Sequence, residues 1–129
     1  LVSYVSPKAT LYDNVRIGDN CFIFEDNTIQ PFVSIADNVT LWSGNHIGHH
    51  STIGKHCFIA SHVVVSGGVK IDPYCFVGVN ATIRDHVHIA QDCIIGAGAL
   101  ITHNTIKNSV YKGIPSQASN QSARDLEKI

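Results

Sequence analysis

The chain has 129 residues, of which 44% are hydrophobic and 15% charged, and its formal net charge is −1. That size suits a single domain, and the near balance of charge leaves no Lys/Arg stripe to neutralise phosphates, so no nucleic-acid partner is expected. No apolar run reaches the length of a membrane span and no leader-like segment opens the chain, so a soluble cytoplasmic protein without a membrane partner is expected; the start at Leu1 and the lack of Met suggest a piece of a longer protein.

From Val5 onward every sixth residue is aliphatic: Val5, Leu11, Ile17, Ile23, and so on without a break to Ile95 and Ile101. A second column, four residues further on, runs from Ala9 through Val15 and Cys21 to Ala99 and Thr105, and every member is small or medium-sized. A period of six matches neither the 3.6 of an α-helix nor the 2 of a simple strand. It matches a solenoid in which short strands alternate with tight corners. Three strands close one 18-residue triangular coil, and coils stack about 4.8 Å apart, the usual strand separation. The large column fills the axis and the small column lets the walls meet. An all-β parallel β-helix over residues 1–106 is predicted.

Cys21, Cys57, Cys75 and Cys93 all fall in the small inward column, with no CxxC pair, and read as buried, unreactive packing residues without metal or disulfide roles. Asn27 and Asn45 share that column 18 residues apart. Buried amides need partners, and stacked asparagines can bond each other along the axis.

The outward positions are mostly Asp, Asn, Lys and Ser, but the stretch 45–54 differs. His46, His49 and His50 leave the wall around one corner. One coil later, His49 and His50 are matched by Gly67 and Gly68, so an open notch for a ligand is predicted beside the imidazoles. An imidazole, with an unperturbed pKa of about 6.5, can take a proton from an attacking amine or hydroxyl near neutral pH. His49 is the candidate base. His46 and His62 are expected to line the same corner and touch substrate, whereas His56, His86, His88 and His103 read as surface residues.

Past the repeat, residues 107–129 are predicted to form an exit segment and a short helix. Val110-Tyr111-Lys112-Gly113-Ile114-Pro115 is rich in turn formers. Ser122-Ala123-Arg124-Asp125 has capping-box spacing, and Leu126 and Ile129 on one face suggest that the helix packs back on a coil.

The hexads, of the form [LIV]-[GAED]-x-x-[STAVC]-x, resemble the hexapeptide-repeat acyltransferases, and this resemblance implies the left hand of the β-helix. Residues 47–83 are further similar to the bacterial sugar acetyltransferases that N-acetylate nucleotide-linked amino sugars or O-acetylate sialic acid. Their stretch I-x-H-E-x-x-I-G-x-x-x-H lies without gaps on Ile47-Gly48-His49-His50-Ser51-Thr52-Ile53-Gly54-Lys55-His56-Cys57-Phe58. The resemblance implies that His49 is the catalytic base and that the acidic neighbour that raises its basicity falls on His50. Contacts to acetyl-CoA fall on Phe58, Gly67, Val79 and Ala97. The element Tyr-x-Gly-x-Pro-Ala-Lys matches Tyr111-Lys112-Gly113-Ile114-Pro115 and departs at Ser116 and Gln117.

The resemblance also implies a homotrimer with acetyl-CoA, the acyl donor, held between neighbouring helices, no metal, a preceding domain for the nucleotide-sugar, and work in surface polysaccharide biosynthesis. Transfer would be direct, with backbone N–H groups steadying the oxyanion. Two other readings compete. A γ-class carbonic-anhydrase-like zinc protein would use His50 and His86, but the third ligand position holds Gln91. A non-catalytic β-helical scaffold or binding module would need none of these groups.

Overall fold

The computed structural model describes residues 1–126. Two-residue strands recur every six residues, and each pairs in parallel with the strand 18 residues away, as in Val64↔His46 and Val64↔Thr82. The strands form three sheets, which are the three faces of the predicted parallel β-helix. The first face starts with Tyr4–Val5 and Phe22–Ile23, the second with Thr10–Leu11 and Thr28–Ile29, and the third with Arg16–Ile17 and Ser34–Ile35. Val110–Tyr111, within the predicted exit segment, adds one more strand to the first face by pairing with Ile94–Ile95.

From Phe22–Ile23 to Leu100–Ile101 each strand buries its second residue. Ile23, Ile29, Leu41, Ile47, Ile59, Val65, Val77, Ile83, Ile89 and Ile95 are fully enclosed, and the small column closes around them. All four cysteines are buried and free, as expected. Three of the thiols point at a carbonyl 15 residues on, as Cys57 does at Asp72 (3.2 Å) and Cys75 at Ala90 (3.1 Å). Interaction with the Cys57 thiol, together with burial, raises the pKa of Cys75, which keeps it a neutral packing group.

Asn27 and Asn45 are buried but do not bond each other along the axis. Both amides donate to the Trp42 carbonyl, at 2.6 and 2.9 Å. Asn45 Oδ1 also accepts from the Val63 N–H at 2.8 Å, tying two coils together.

The corners obey a second six-residue rule. Asn14, Asn20, Asp26, Phe32, Asn38, Gly44, His50, His56, His62, Gly68, Tyr74, Asn80, His86, Asp92 and Gly98 all have φ between +55° and +74°. This left-handed conformation is unfavourable for most L-residues and is tolerated best by Gly, Asn, Asp and His. Half of the eight histidines, namely His50, His56, His62 and His86, therefore sit where they do partly for backbone reasons.

The helix predicted at the C-terminus is a single 3-10 turn, Ala123–Asp125, whose cap Ser122 Oγ accepts from the Asp125 N–H at 3.1 Å. It buries no residue, so it does not pack back on a coil. Its short apolar face offers too little area to hold it there. Ile129 lies outside the described residues.

Candidate active site

Three edges separate the three faces, and the candidate residues divide among them. His49, His50, Gly67 and His86 lie on the second edge, between the second and third faces. His49 sits at the exposed tip of its corner, held by the backbone. Its N–H donates to Gln30 Oε1 at 3.0 Å, and its carbonyl accepts from the Gly68 N–H at 2.8 Å.

The His49 ring leans along the helix onto the next coil. A Cβ on Gly67 would stand 2.7 Å from His49 Nε2 and 2.9 Å from Cε1, so the imidazole occupies the volume a side chain there would need. On Gly68, a Cβ would meet His86 Nδ1 at 2.5 Å. The glycine pair is thus present beside His49 but is not the open notch that the sequence suggested. The imidazole of His49 lies down into it from one coil and that of His86 from another, because a position without a side chain leaves room for a flat ring over the backbone.

His49 Nδ1 and His50 Nδ1 are 3.1 Å apart with the rings nearly perpendicular, at 87°. One of these nitrogens must donate and the other accept. The His50 ring is stacked on Phe32 from the coil before it, with centroids 5.0 Å apart and planes within 19°. Close by, the Asp85 carboxylate lies 3.7 Å from His86 Nε2. Asp85 and His86 thus belong to the corner column of His49 and His50, although His86 reads from the sequence as a surface residue. The 36-residue spacing from His50 to His86 was the available signal.

The remaining candidates are elsewhere. His46 projects from the second face, half-buried. His62 does not share the corner of His49. It is on the first edge, between the first and second faces, with its ring over Gly44, where a Cβ would lie 2.6 Å from Cε1. The prediction failed because His62 is the corner residue of a different edge, two strands from the His49 corner.

Val79 and Ala97 lie exposed on that same first edge, one coil apart. Phe58 is on the adjoining first face, in an aromatic row: its ring stacks on Phe76 (5.6 Å, 13°) and is tilted against Trp42 (6.3 Å). A cavity of about 270 Å³ opens on this edge, lined by Gly98, Ala99, Leu100, Lys112, Gly113 and Ile114. Gly113 is packed against the Ala97 carbonyl. Lys112 places a cation beside the cavity.

A third grouping lies on the third face, where His88 Nε2 is 2.8 Å from Asp72 Oδ2. His50 and His86 share one corner column two coils apart, but among the described residues no three His, Cys, Asp or Glu side chains gather as a metal site. Gln91 stands where the carbonic-anhydrase reading needs a third zinc ligand, and no described residue of this chain joins His50 and His86 in that role.

Comparison with known proteins agrees with this architecture. No curated protein sequence matches the chain. Among solved structures, PerB from Caulobacter crescentus, in complex with CoA and GDP-perosamine, is 26% identical with a TM-score of 0.86, over 91% of this chain and 56% of that one. AntD, an N-acyltransferase from Bacillus cereus in complex with dTDP and 3-hydroxybutyryl-CoA, is 17% identical with a TM-score of 0.83, over 88% and 76%. The acetyltransferase domain of PglB from Neisseria gonorrhoeae is 19% identical with a TM-score of 0.54, over 91% and 57%. The chain thus spans little more than half the length of PerB, and the likeness to AntD and PglB is one of fold. The model of the bacterial transferase hexapeptide (six repeats) matches residues 32–67 and 68–103, more than half of the sequence. On that match, with the unbroken hexads and the three parallel faces, the chain belongs to the bacterial hexapeptide transferase family.

Proposed function

We propose that this chain is the transferase part of an acetyl-CoA-dependent sugar acetyltransferase, acting on an amino or hydroxyl group of a nucleotide-linked sugar in the cytoplasm. Work in surface polysaccharide biosynthesis belongs to the same reading. The observation that carries it is the state of His49. One ring nitrogen is engaged by a neighbouring imidazole, while the other lies over bare backbone at an exposed edge. This arrangement suits a general base. The likeness to PerB, solved with CoA and GDP-perosamine, supports the donor and the class of acceptor.

The chemistry is direct transfer. The acceptor nitrogen or oxygen attacks the thioester carbonyl as His49 Nε2 takes its proton. The tetrahedral intermediate collapses with cleavage of the C–S bond, and the imidazolium returns the proton to the departing CoA thiolate. No acyl-enzyme forms, which is in keeping with four buried thiols.

The division of candidates over two edges favours a homotrimer. Within one chain, His49 and Gly67 lie on the second edge, whereas Val79, Ala97 and the cavity beside Lys112 lie on the first. A neighbouring copy that sets its first edge, with Phe58 beside it, against this second edge completes the site.

Replacing His49 by Ala in the full-length protein tests the base. Release of CoA thiol with a GDP-linked amino sugar as acceptor should fall by about 10²-fold or more. An unchanged rate removes His49 from the chemistry. Absence of any transfer by the intact protein favours the scaffold reading instead.

A further inference from the structure

We propose that three copies of His46 meet on the symmetry axis of the trimer and hold a zinc ion there, one ligand from each chain. The site rests on the proposed trimer and adds to it a group that the transfer reaction does not use.

Symmetry selects the face that looks inward. Each copy sets its first edge against the second edge of the next, so the side joining those two edges closes round the axis. That side is the second face. With the third edges turned inward instead, the first and second edges of neighbouring copies would splay apart and never meet. The outward residues of the second-face strands are Thr10, Thr28, His46, Val64, Thr82 and Leu100, with no Lys, Arg, Asp or Glu among them. On an axis every formal charge would face two copies of itself, so an uncharged column suits this place.

His46 is the one imidazole in that column, and it stands near the middle of its side, between the corners at Gly44 and His50. A side of six residues is at most about 20 Å long, at about 3.3 Å per residue. The centre of an equilateral shaft with that side lies about 6 Å from each wall, a gap that an extended histidine side chain spans. The ring is half-buried, and no side chain among the described residues hydrogen-bonds to it, so it can turn to the axis.

The two directions along the axis differ. Thr28 lies one coil before and Val64 one coil after, each in register with His46. Three imidazole lone pairs brought to one point repel unless a cation stands between them. Zinc meets this need with Zn–N bonds of about 2.0–2.1 Å and a fourth, tetrahedral position. That position points along the axis. On one side the three Thr28 hydroxyls can hydrogen-bond a water held there, and on the other the three Val64 side chains close the shaft. Among the described residues no three ligands gather within one chain, as each chain brings only one. His46 is three residues from His49, on the strand that enters that corner, so the ion holds the three second edges in register.

The full-length protein, stripped with a chelator, reloaded with Zn²⁺ and desalted, tests the site. The parent should retain one zinc per three chains. His46→Thr installs the residue that stands one coil before and two coils after, at Thr28 and Thr82, so its trimer should form and should lose that zinc. His49→Ala should keep it, which separates the axis from the exposed histidines of the second edge. Reloading with Co²⁺ should give the visible absorption of four-coordinate cobalt in the parent and in His49→Ala, and none in His46→Thr. A trimer that retains no zinc, or a His46→Thr trimer that retains it, overturns the proposal and leaves the assembly standing. A mass in solution other than three chains removes the assembly itself, and the site with it.

Discussion

Gly67 shows how one residue can matter without contributing any atom beyond the backbone. Its missing side chain is the resting place of the His49 ring, and an added Cβ would lie 2.7–3.2 Å from Nε2, Cε1 and Cδ2. The obstructed group is the free end of an exposed side chain, so the ring swings away and the fold survives. Gly67→Ala should therefore change stability by no more than about 0.5 kcal/mol. Because an ångström of misplacement costs about 10²-fold when a base must meet its proton, transfer should drop by about 10- to 100-fold. Melting curves and initial rates on the same preparation check the pair of outcomes. At this scale the sequence was informative about identity and poor about contact. The 18-residue offset placed Gly67 beside His49 correctly, but whether the ring stood clear or lay down was set by side-chain torsions that no spacing encodes.

At the scale of the corner, the repeat imposes a backbone state that side chains must accept. The columns of inward residues were readable because a hydrophobic period is a strong signal. The outward corner column, Asn14 to Gly98, is equally regular but is disguised by mixed chemistry: Asn, Asp, His and Gly share tolerance of positive φ rather than polarity. Reading it would have shown that His62 belongs to another corner from His49. Asn80, exposed on the first edge with φ +62°, tests the rule away from the proposed catalytic edge. Asn80→Ala should lose about 1 kcal/mol of stability, because Ala pays the left-handed penalty in full, while Asn80→Gly should be neutral or slightly stabilising. Equal melting temperatures for the two variants would contradict a conformational origin.

For the whole molecule, the decisive feature is that the proposed base and the proposed coenzyme contacts other than Gly67 face in different directions. A triangular prism cannot bring two of its own edges together, so under the proposed function a complete site requires a second copy. Co-expression gives a direct check. His49→Ala and Ala97→Asp chains should each be inactive alone, since one lacks the base and the other puts a carboxylate beside the cavity edge. In mixed trimers some interfaces pair an intact second edge with an intact first edge, and activity should return to a fraction of that of the parent. Mass measurement in solution should give three chains. Continued inactivity of mixed trimers would mean that each site is built within one chain.

The sequence by itself determined the solenoid: its period, the inward columns, the burial of the thiols, and the register that stacks residues 18 apart. These follow from the hydrophobic effect acting on a regular pattern, which leaves a chain with one large and one small inward residue per hexad few other ways to bury both. Only the tertiary structure decided how the outward groups use that frame. It laid two imidazoles onto the glycine pair, bonded His49 to His50 through Nδ1, and opened a cavity beside Lys112. Those outcomes depend on side-chain torsions and on where the segment after the last hexad folds back, neither of which a six-residue repeat encodes.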